Sequence, residues 1–196
     1  MTTNPVELQG AWRRGWALDL HTTSSAFLGY DEYGHARYDT TRSPLGELLY
    51  QLKYRGQQTA GQVATVMAEF LNDKPDTLAR IEVIVPIPPS TARAVQPVVT
   101  IADELGKKLN KAVGADVIRK VRETPGLKDI HDPEERRELL DGAFEADRAR
   151  VNGKGVLLVD DLYRSGATAN AVTLALLGAG ASRVYLLAAT RTRSRM

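Results

Sequence analysis

The sequence predicts an α/β domain built on an open, mostly parallel sheet flanked by helices, with a small β-hairpin region at its N-terminus. Three observations predict it. The runs Ile81–Ile87, Gly155–Val159 and Val184–Ala189 are continuously apolar rather than alternating, as strands buried on both faces must be. Segments with apolar residues at helical spacing separate them, which is the alternation that builds parallel sheets. The first 40 residues differ from the rest, being rich in aromatics, Thr, Ser and Gly.

Taken in order, Trp16–Leu20 alternates in polarity, and Asp31-Glu32-Tyr33-Gly34 reads as a turn between Phe27–Tyr30 and His35–Tyr38, so residues 1–42 are expected to form the hairpin region. The α/β domain then spans 43–196. Ser43 is suited to cap a helix opened by Pro44, with Leu45, Leu48, Leu49 and Leu52 on one stripe, ending near Gly56. A second helix carries Val63, Val66, Met67, Phe70 and Leu71 and stops in Asn72–Asp76. After the strand Ile81–Ile87, Pro97 opens a helix marked by Val98, Ile101, Leu105 and Leu109, and Val113–Val121 reads as one further strand. Asp132-Pro133-Glu134-Glu135 has the acid, proline and glutamate of a helix start, so a helix runs through Leu139 and Leu140. Thr168–Leu177 is helical until Gly178 and Gly180 stop it.

Composition narrows the function. The 196 residues carry a net charge of only +2, with 43% hydrophobic and 26% charged residues, so the chain is neither disordered nor a polycation. Zero cysteines remove disulfides, thiol nucleophiles and cysteine zinc sites. His21, His35 and His131 are scattered and read as exposed loop residues rather than metal ligands. No leader pattern and no apolar stretch of membrane-spanning length is found, so a cytoplasmic protein without membrane association is expected. Gly178-Ala179-Gly180 follows a helix, the wrong context for a dinucleotide fingerprint, and Ser165 lacks the glycine elbow of a serine hydrolase.

The chemistry concentrates in Gly155–Thr168: a buried strand, the acids Asp160 and Asp161, a loop of small residues and a helix start. Ligands of open α/β sheets bind beyond the carboxyl ends of the strands, where a helix N-terminus offers unpaired N–H groups to an anion. A phosphate belongs in Arg164–Thr168. Gly166 allows close backbone approach, and Ser165 and Thr168 supply hydroxyls. Two carboxylates would repel that phosphate, so they are expected to face the hydroxyls of a sugar. Successive strand residues point to opposite faces, so both reach one sugar only if the backbone turns between them.

This string resembles the phosphoribosyl diphosphate (PRPP) signature of type I phosphoribosyltransferases: apolar strand, Asp-Asp, and a Ser/Thr-Gly-Ala-Thr loop. Leu52-Lys53-Tyr54-Arg55-Gly56, Val85-Pro86-Ile87-Pro88, and Arg136 followed by Gly142-Ala143-Phe144 resemble elements of the ComF-like branch, in the same order, over about residues 43–191. The resemblance implies a Rossmann-like sheet, with Asp160 and Asp161 on the ribose hydroxyls and Arg164, Ser165, Gly166, Ala167 and Thr168 around the 5′-phosphate. It implies Mg²⁺ carried by the diphosphate, with no direct protein ligand, and a homodimer. The loop beginning at Pro88 and Pro89 takes the diphosphate position, with Ser90 and Arg93 as donors. The basic stretch Arg119–His131 takes the place of a mobile hood, with Lys128 and Arg122 as its leading catalytic candidates beside the two acids.

Three departures are visible. ComF-like proteins often carry a cysteine-based zinc module before the enzyme domain, and this chain has the cysteine-free hairpin region there. The family's Arg-Gly-Phe-Asn-Gln stretch is replaced by Arg93-Ala94-Val95-Gln96-Pro97, and Arg164 stands where a Thr is usual.

The expected reaction transfers the phosphoribosyl group of PRPP to a nitrogenous, nucleobase-like acceptor, with release of diphosphate. The alternative is a non-catalytic PRPP- or nucleotide-binding regulator or DNA-uptake accessory, which would need only Asp160–Thr168. Nucleic-acid binding through Arg191, Arg193 and Arg195 is disfavoured, since a short arginine tail is ordinarily a solvated terminus.

Overall fold

The three continuous apolar runs become interior strands of one six-stranded sheet in a computed structural model, which describes residues 1–55, 58–89, 96–124, 130 and 132–193. The chain opens with β1 (Val6–Glu7), β2 (Arg14–Leu20), β3 (Thr22–Tyr30) and β4 (Ala36–Arg42). The helices α1 (Pro44–Tyr54), α2 (Ala60–Asn72) and α3 (Pro75–Leu78) follow, then β5 (Val83–Pro86), α4 (Pro97–Leu109) and β6 (Ala112–Val113). The last third holds β7 (Ile118–Lys120), α5 (Pro133–Leu140), β8 (Phe144–Ala146), α6 (Arg148–Val151), β9 (Gly155–Tyr163), α7 (Ala167–Gly178) and β10 (Arg183–Arg191).

The sheet order is β1-β2-β10-β9-β5-β6, with every neighbouring pair parallel except β1 and β2. Both faces are covered, which is why its central strands lack alternation. On one face Leu157, Val159, Leu187 and Ile84 pack against α1, α2 and α4 through Leu49, Met67 and Ile101. On the other, Leu158, Leu186 and Val85 meet Val172 and Leu176 of α7 together with Leu140 and Phe144. The expected fold class is therefore what the chain adopts.

The helix starts follow their sequence signals. The Ser43 hydroxyl accepts the Gly46 N–H at 3.0 Å, and the Asp132 carboxylate accepts the Glu134 N–H at 2.8 Å, each with proline in the first turn. The hairpin is also found: β3 and β4 pair antiparallel, and Asp31 Oδ1 closes the turn by accepting the N–H groups of Tyr33 and His35 at 2.9 and 2.8 Å.

Three details differ from the expectations. Trp16–Leu20 is part of β2, which pairs parallel with β10, so the main sheet reaches back across the boundary expected at 42/43 and the hairpin proper is β3–β4. The stretch Val113–Val121 is two strands rather than one. β6 ends at Val113, Val117 N–H bonds back to Gly114, and β7 leaves to pair antiparallel with β8, because the turn at Gly114–Asp116 breaks the run. Finally, β9 continues past Val159 to Tyr163, since β10 extends to Arg191 and supplies partners for Asp160, Leu162 and Tyr163. Among the described residues no helix is long and apolar enough to cross a membrane.

Candidate functional site

The topology alone selects one end of the sheet. From β5 the chain crosses through α4 to β6 on one side, and from β9 it crosses through α7 to β10 on the other. The two helices cover opposite faces. The carboxyl ends of β5 and β9 therefore part their connections and leave a crevice, the position where open α/β sheets bind ligands. Pro86 lies opposite Val159, and Ile87 N–H donates to the Val159 carbonyl at 2.8 Å, so Pro88 and Pro89 leave the sheet beside Asp160. Ser90, Arg93 and Lys128 lie outside the described residues.

At the head of α7, Gly166 takes the left-handed conformation, φ +77°, as the helix cap. A side chain there would overlap the Tyr163 hydroxyl, so glycine is needed for both conformation and space. Arg164 and Ser165 are exposed, Ala167 and Thr168 half-buried, and the first N–H groups of α7 open toward the crevice as helix starts require. Asn170 braces this loop: its amide nitrogen donates to the Gly166 carbonyl at 3.0 Å, and its oxygen accepts the Ala11 N–H at 2.7 Å.

Because β9 runs through both acids, Asp160 and Asp161 point to opposite faces. Asp161 lies on the α1 face, where Lys53 Nζ reaches its Oδ2 at 2.7 Å. Asp160 takes the α7 face, accepting a long bond from Leu162 N–H at 3.4 Å. Burial first, then the neighbouring Asp161 charge, push the Asp160 carboxyl up to about 7. A carboxyl titrating near neutrality at a strand end is a feature of functional sites.

His21 corrects the reading of the histidines as exposed. It is half-buried directly after β2; its N–H donates to the Arg191 carbonyl at 2.8 Å, and its Nδ1 lies 3.3 Å from Thr190 Oγ1. Burial, followed by the charges of Lys53 and Arg42, holds it below the ordinary histidine range, so the ring is neutral at pH 7. His35 is exposed at the hairpin turn as expected, and His131 lies outside the described residues.

Arg122 is placed elsewhere than at the acids. Its guanidinium donates to the carbonyls of Leu139 and Asp141 at 3.0 and 2.6 Å, binding the C-terminal end of α5. An open groove of about 310 Å³ lies beside His21, lined also by Thr22, Thr23, Ser24, Ser25, Thr192 and Arg193. A larger hollow, lined by Asp103, Lys107 and Lys111 among others, lies where α4 turns into β6, at the opposite end of the strands.

Sequence reasoning did not single out Lys53, His21, Thr190 or Asn170 as site residues. A lysine in the last turn of a helix and an isolated histidine are common surface features, and only the fold brings them to residues more than 100 positions away.

No protein-family model matches the chain, and no curated protein matches it. Solved structures do. A glutamine PRPP amidotransferase from B. subtilis, complexed with ADP and GMP, superposes with a TM-score of 0.47 at 18% identity over 81% of this chain and 34% of its own. The UMP synthase of Leishmania donovani gives 0.44 at 17% identity over 83% and 28%, and a hypoxanthine phosphoribosyltransferase from Staphylococcus aureus 0.39 at 13% over 66% and 61%. The chain spans about a third of the length of the first two.

Proposed function

We propose that this chain binds PRPP with Mg²⁺ and transfers its phosphoribosyl group to a nitrogenous acceptor. One observation carries the reading. The acid pair Asp160-Asp161 and the glycine-capped loop 164–168 lie together at the switch point between β5 and β9, a place the topology selects without reference to any motif.

The loop suits a 5′-phosphate, which the α7 N–H groups and the Ser165 and Thr168 hydroxyls would receive. The acids suit the ribose. As the C–O bond from the anomeric carbon to diphosphate breaks, the leaving group keeps the electron pair and the ring gains positive charge that a carboxylate stabilises. The new C–N bond forms from the acceptor's lone pair, and an acceptor N–H loses its proton to solvent. Diphosphate oxygens would hold the Mg²⁺ ion. Mg²⁺ would supply neutralisation of the leaving group. Pro88 and Pro89 leave the sheet at the crevice, and the diphosphate would be received by the chain that follows them. The groove beside His21 has a mainly apolar surface with His21 and Arg193 in its lining, which suits the face of a planar heterocyclic acceptor.

The test is calorimetric titration with PRPP and Mg²⁺ on the wild type and on Asp160→Ala/Asp161→Ala, followed by diphosphate release across a panel of nucleobases. Binding that disappears in the double variant supports the site, and release with one base supports transfer. A folded wild type that binds no PRPP overturns the proposal, and binding without release for any base leaves a PRPP-binding regulator.

A further inference from the structure

The two acids are adjacent in sequence and yet differently employed. Asp161 shares its face of β9 with Leu157 and Val159, which pack in the cluster around α1, α2 and α4. There Lys53 Nζ sits 2.7 Å from its carboxylate, with the two side chains only 14% and 17% exposed. The main chain is secured as well, the Asp161 carbonyl accepting the Thr190 hydroxyl at 3.1 Å. Asp160 points the other way, toward the head of α7, and its carboxylate meets backbone N–H groups, the long Leu162 bond at 3.4 Å and that of Asp161, with no cation paired to it as Lys53 is to Asp161 among the described residues.

The platform that carries Lys53 is rigid. Leu45 and Leu49 of α1 are fully buried, Ser43 caps its start, and the Arg42 guanidinium stacks on Tyr50 at 3.7 Å while pairing with Glu47 at 3.5 Å. A long cation on a fixed helix end holds a carboxylate in one place. A half-buried ion pair of this kind is costly to break by removing one partner, because the other charge is left uncompensated.

We propose that Lys53 is a positioning residue of the sugar site: it pins Asp161 to the α1 side of β9, so that Asp160 is the acid left to receive the ligand's hydroxyls. The ligand's identity rests on the function proposed above, whereas the division between the acids rests on the geometry. The electrostatics agree. Asp161 raises the Asp160 carboxyl and Lys53 lowers it; among the described residues His21 feels the charges of Lys53, Asp161, Arg42 and Arg164 together, and Tyr163 feels that of Asp160.

A double-mutant cycle on PRPP affinity tests it, using Lys53→Met, Asp161→Asn and the two together, beside Asp160→Asn. If Lys53 acts through Asp161, each single variant weakens binding about tenfold, the double variant is no worse than Asp161→Asn, and Asp160→Asn loses about a hundredfold. Losses that multiply in the double variant would mean that Lys53 touches the ligand itself and would overturn the positioning role. Equal losses for Asp160→Asn and Asp161→Asn would overturn the division.

A second arm needs no ligand. Carboxyl ¹³C titration of the free protein is expected to move Asp160 upward in Lys53→Met and downward in Asp161→Asn, with Lys53→Arg restoring the wild-type midpoint. An Asp160 midpoint unmoved by either change overturns the proposal even in a protein that binds no PRPP. A wild type that fails to bind PRPP while these midpoints move removes the proposed function and keeps the Lys53–Asp161 relationship.

Discussion

Gly166 and Tyr163 occupy one space: the Cβ that glycine lacks would lie on the Tyr163 hydroxyl, and the backbone at 166 has φ +77°. Tyr163 is held there from its other side by the edge of Trp12, ring centroids 6.3 Å apart. Gly166→Ala is therefore expected to cost at least about 2 kcal/mol, the left-handed penalty with an overlap added, and to weaken PRPP binding by distorting the loop. Urea unfolding checks the first and calorimetry the second. A variant as stable as the wild type would show that the loop adopts another conformation.

Asp160 sets a pH dependence whose sign is opposite to that of an ordinary surface carboxylate. Its folded-state carboxyl titrates near 7, against about 3.9 in an unfolded chain, so between these values the native state holds the proton and the unfolded state does not. Stability attributable to Asp160 is full below pH 4 and falls as the pH rises toward 7. Asp160→Asn removes this loss. The variant is expected to melt at a higher temperature than the wild type at pH 8, the advantage shrinking toward pH 4.5, while its PRPP affinity falls about a hundredfold. Melting curves at the two pH values decide it, and an advantage that does not grow with pH refutes the assignment. Such a group is what a binding site built at the expense of stability looks like.

The sequence offers Arg122 as a cation that closes over the diphosphate, and its observed bonds give it a different first role. By joining the carbonyls of Leu139 and Asp141 it satisfies groups that the end of α5 leaves unpaired. Arg122→Ala is expected to speed amide exchange through the last turn of α5 and to cost about 1–3 kcal/mol there, the value of hydrogen bonds from a charged donor. Exchange in α5 that is unaltered while diphosphate release collapses would return Arg122 to the diphosphate.

What could be read from the residues follows the range of the forces involved. Ser43-Pro44 and Asp132-Pro133 mark helix starts through bonds made within three residues, so their signal is local and the structure contains both caps. The continuous run Gly155–Val159 is legible because burial on both faces removes alternation. The alternation of Trp16–Leu20 does not specify its partner: β2 pairs with β10, about 170 residues later, and not with β3. The split of Val113–Val121 hinges on a turn at Gly114 within an otherwise strand-like run. Asp160, Asp161 and the 164–168 loop stand in one short string and were visible, whereas Lys53 and His21 become part of the site only through the sheet order.

The junction between the hairpin and α1 gives the last prediction, where a local preference and a tertiary contact oppose each other. The Ser43 hydroxyl accepts the Gly46 N–H and donates to the Leu20 carbonyl at 2.5 Å, closing the end of β2 against the start of α1. That closeness brings the His21 carbonyl against Gly46, where a side chain would overlap it. In an open helix, Gly46→Ala would stabilise by roughly 0.5–1 kcal/mol. Here the overlap is with backbone that β2 and β10 hold fixed through the His21–Arg191 bond, so the variant is expected to be less stable than the wild type. Ser43→Ala is expected to lose about 2 kcal/mol, since it removes a cap and leaves the Leu20 carbonyl without its donor. Because both changes strain or release the same junction, their effects should fall short of additive, the double variant gaining back part of the Gly46→Ala penalty once Ser43 no longer draws the two segments together. Urea unfolding of the four proteins measures it, and strict additivity would show that the cap and the close approach are independent.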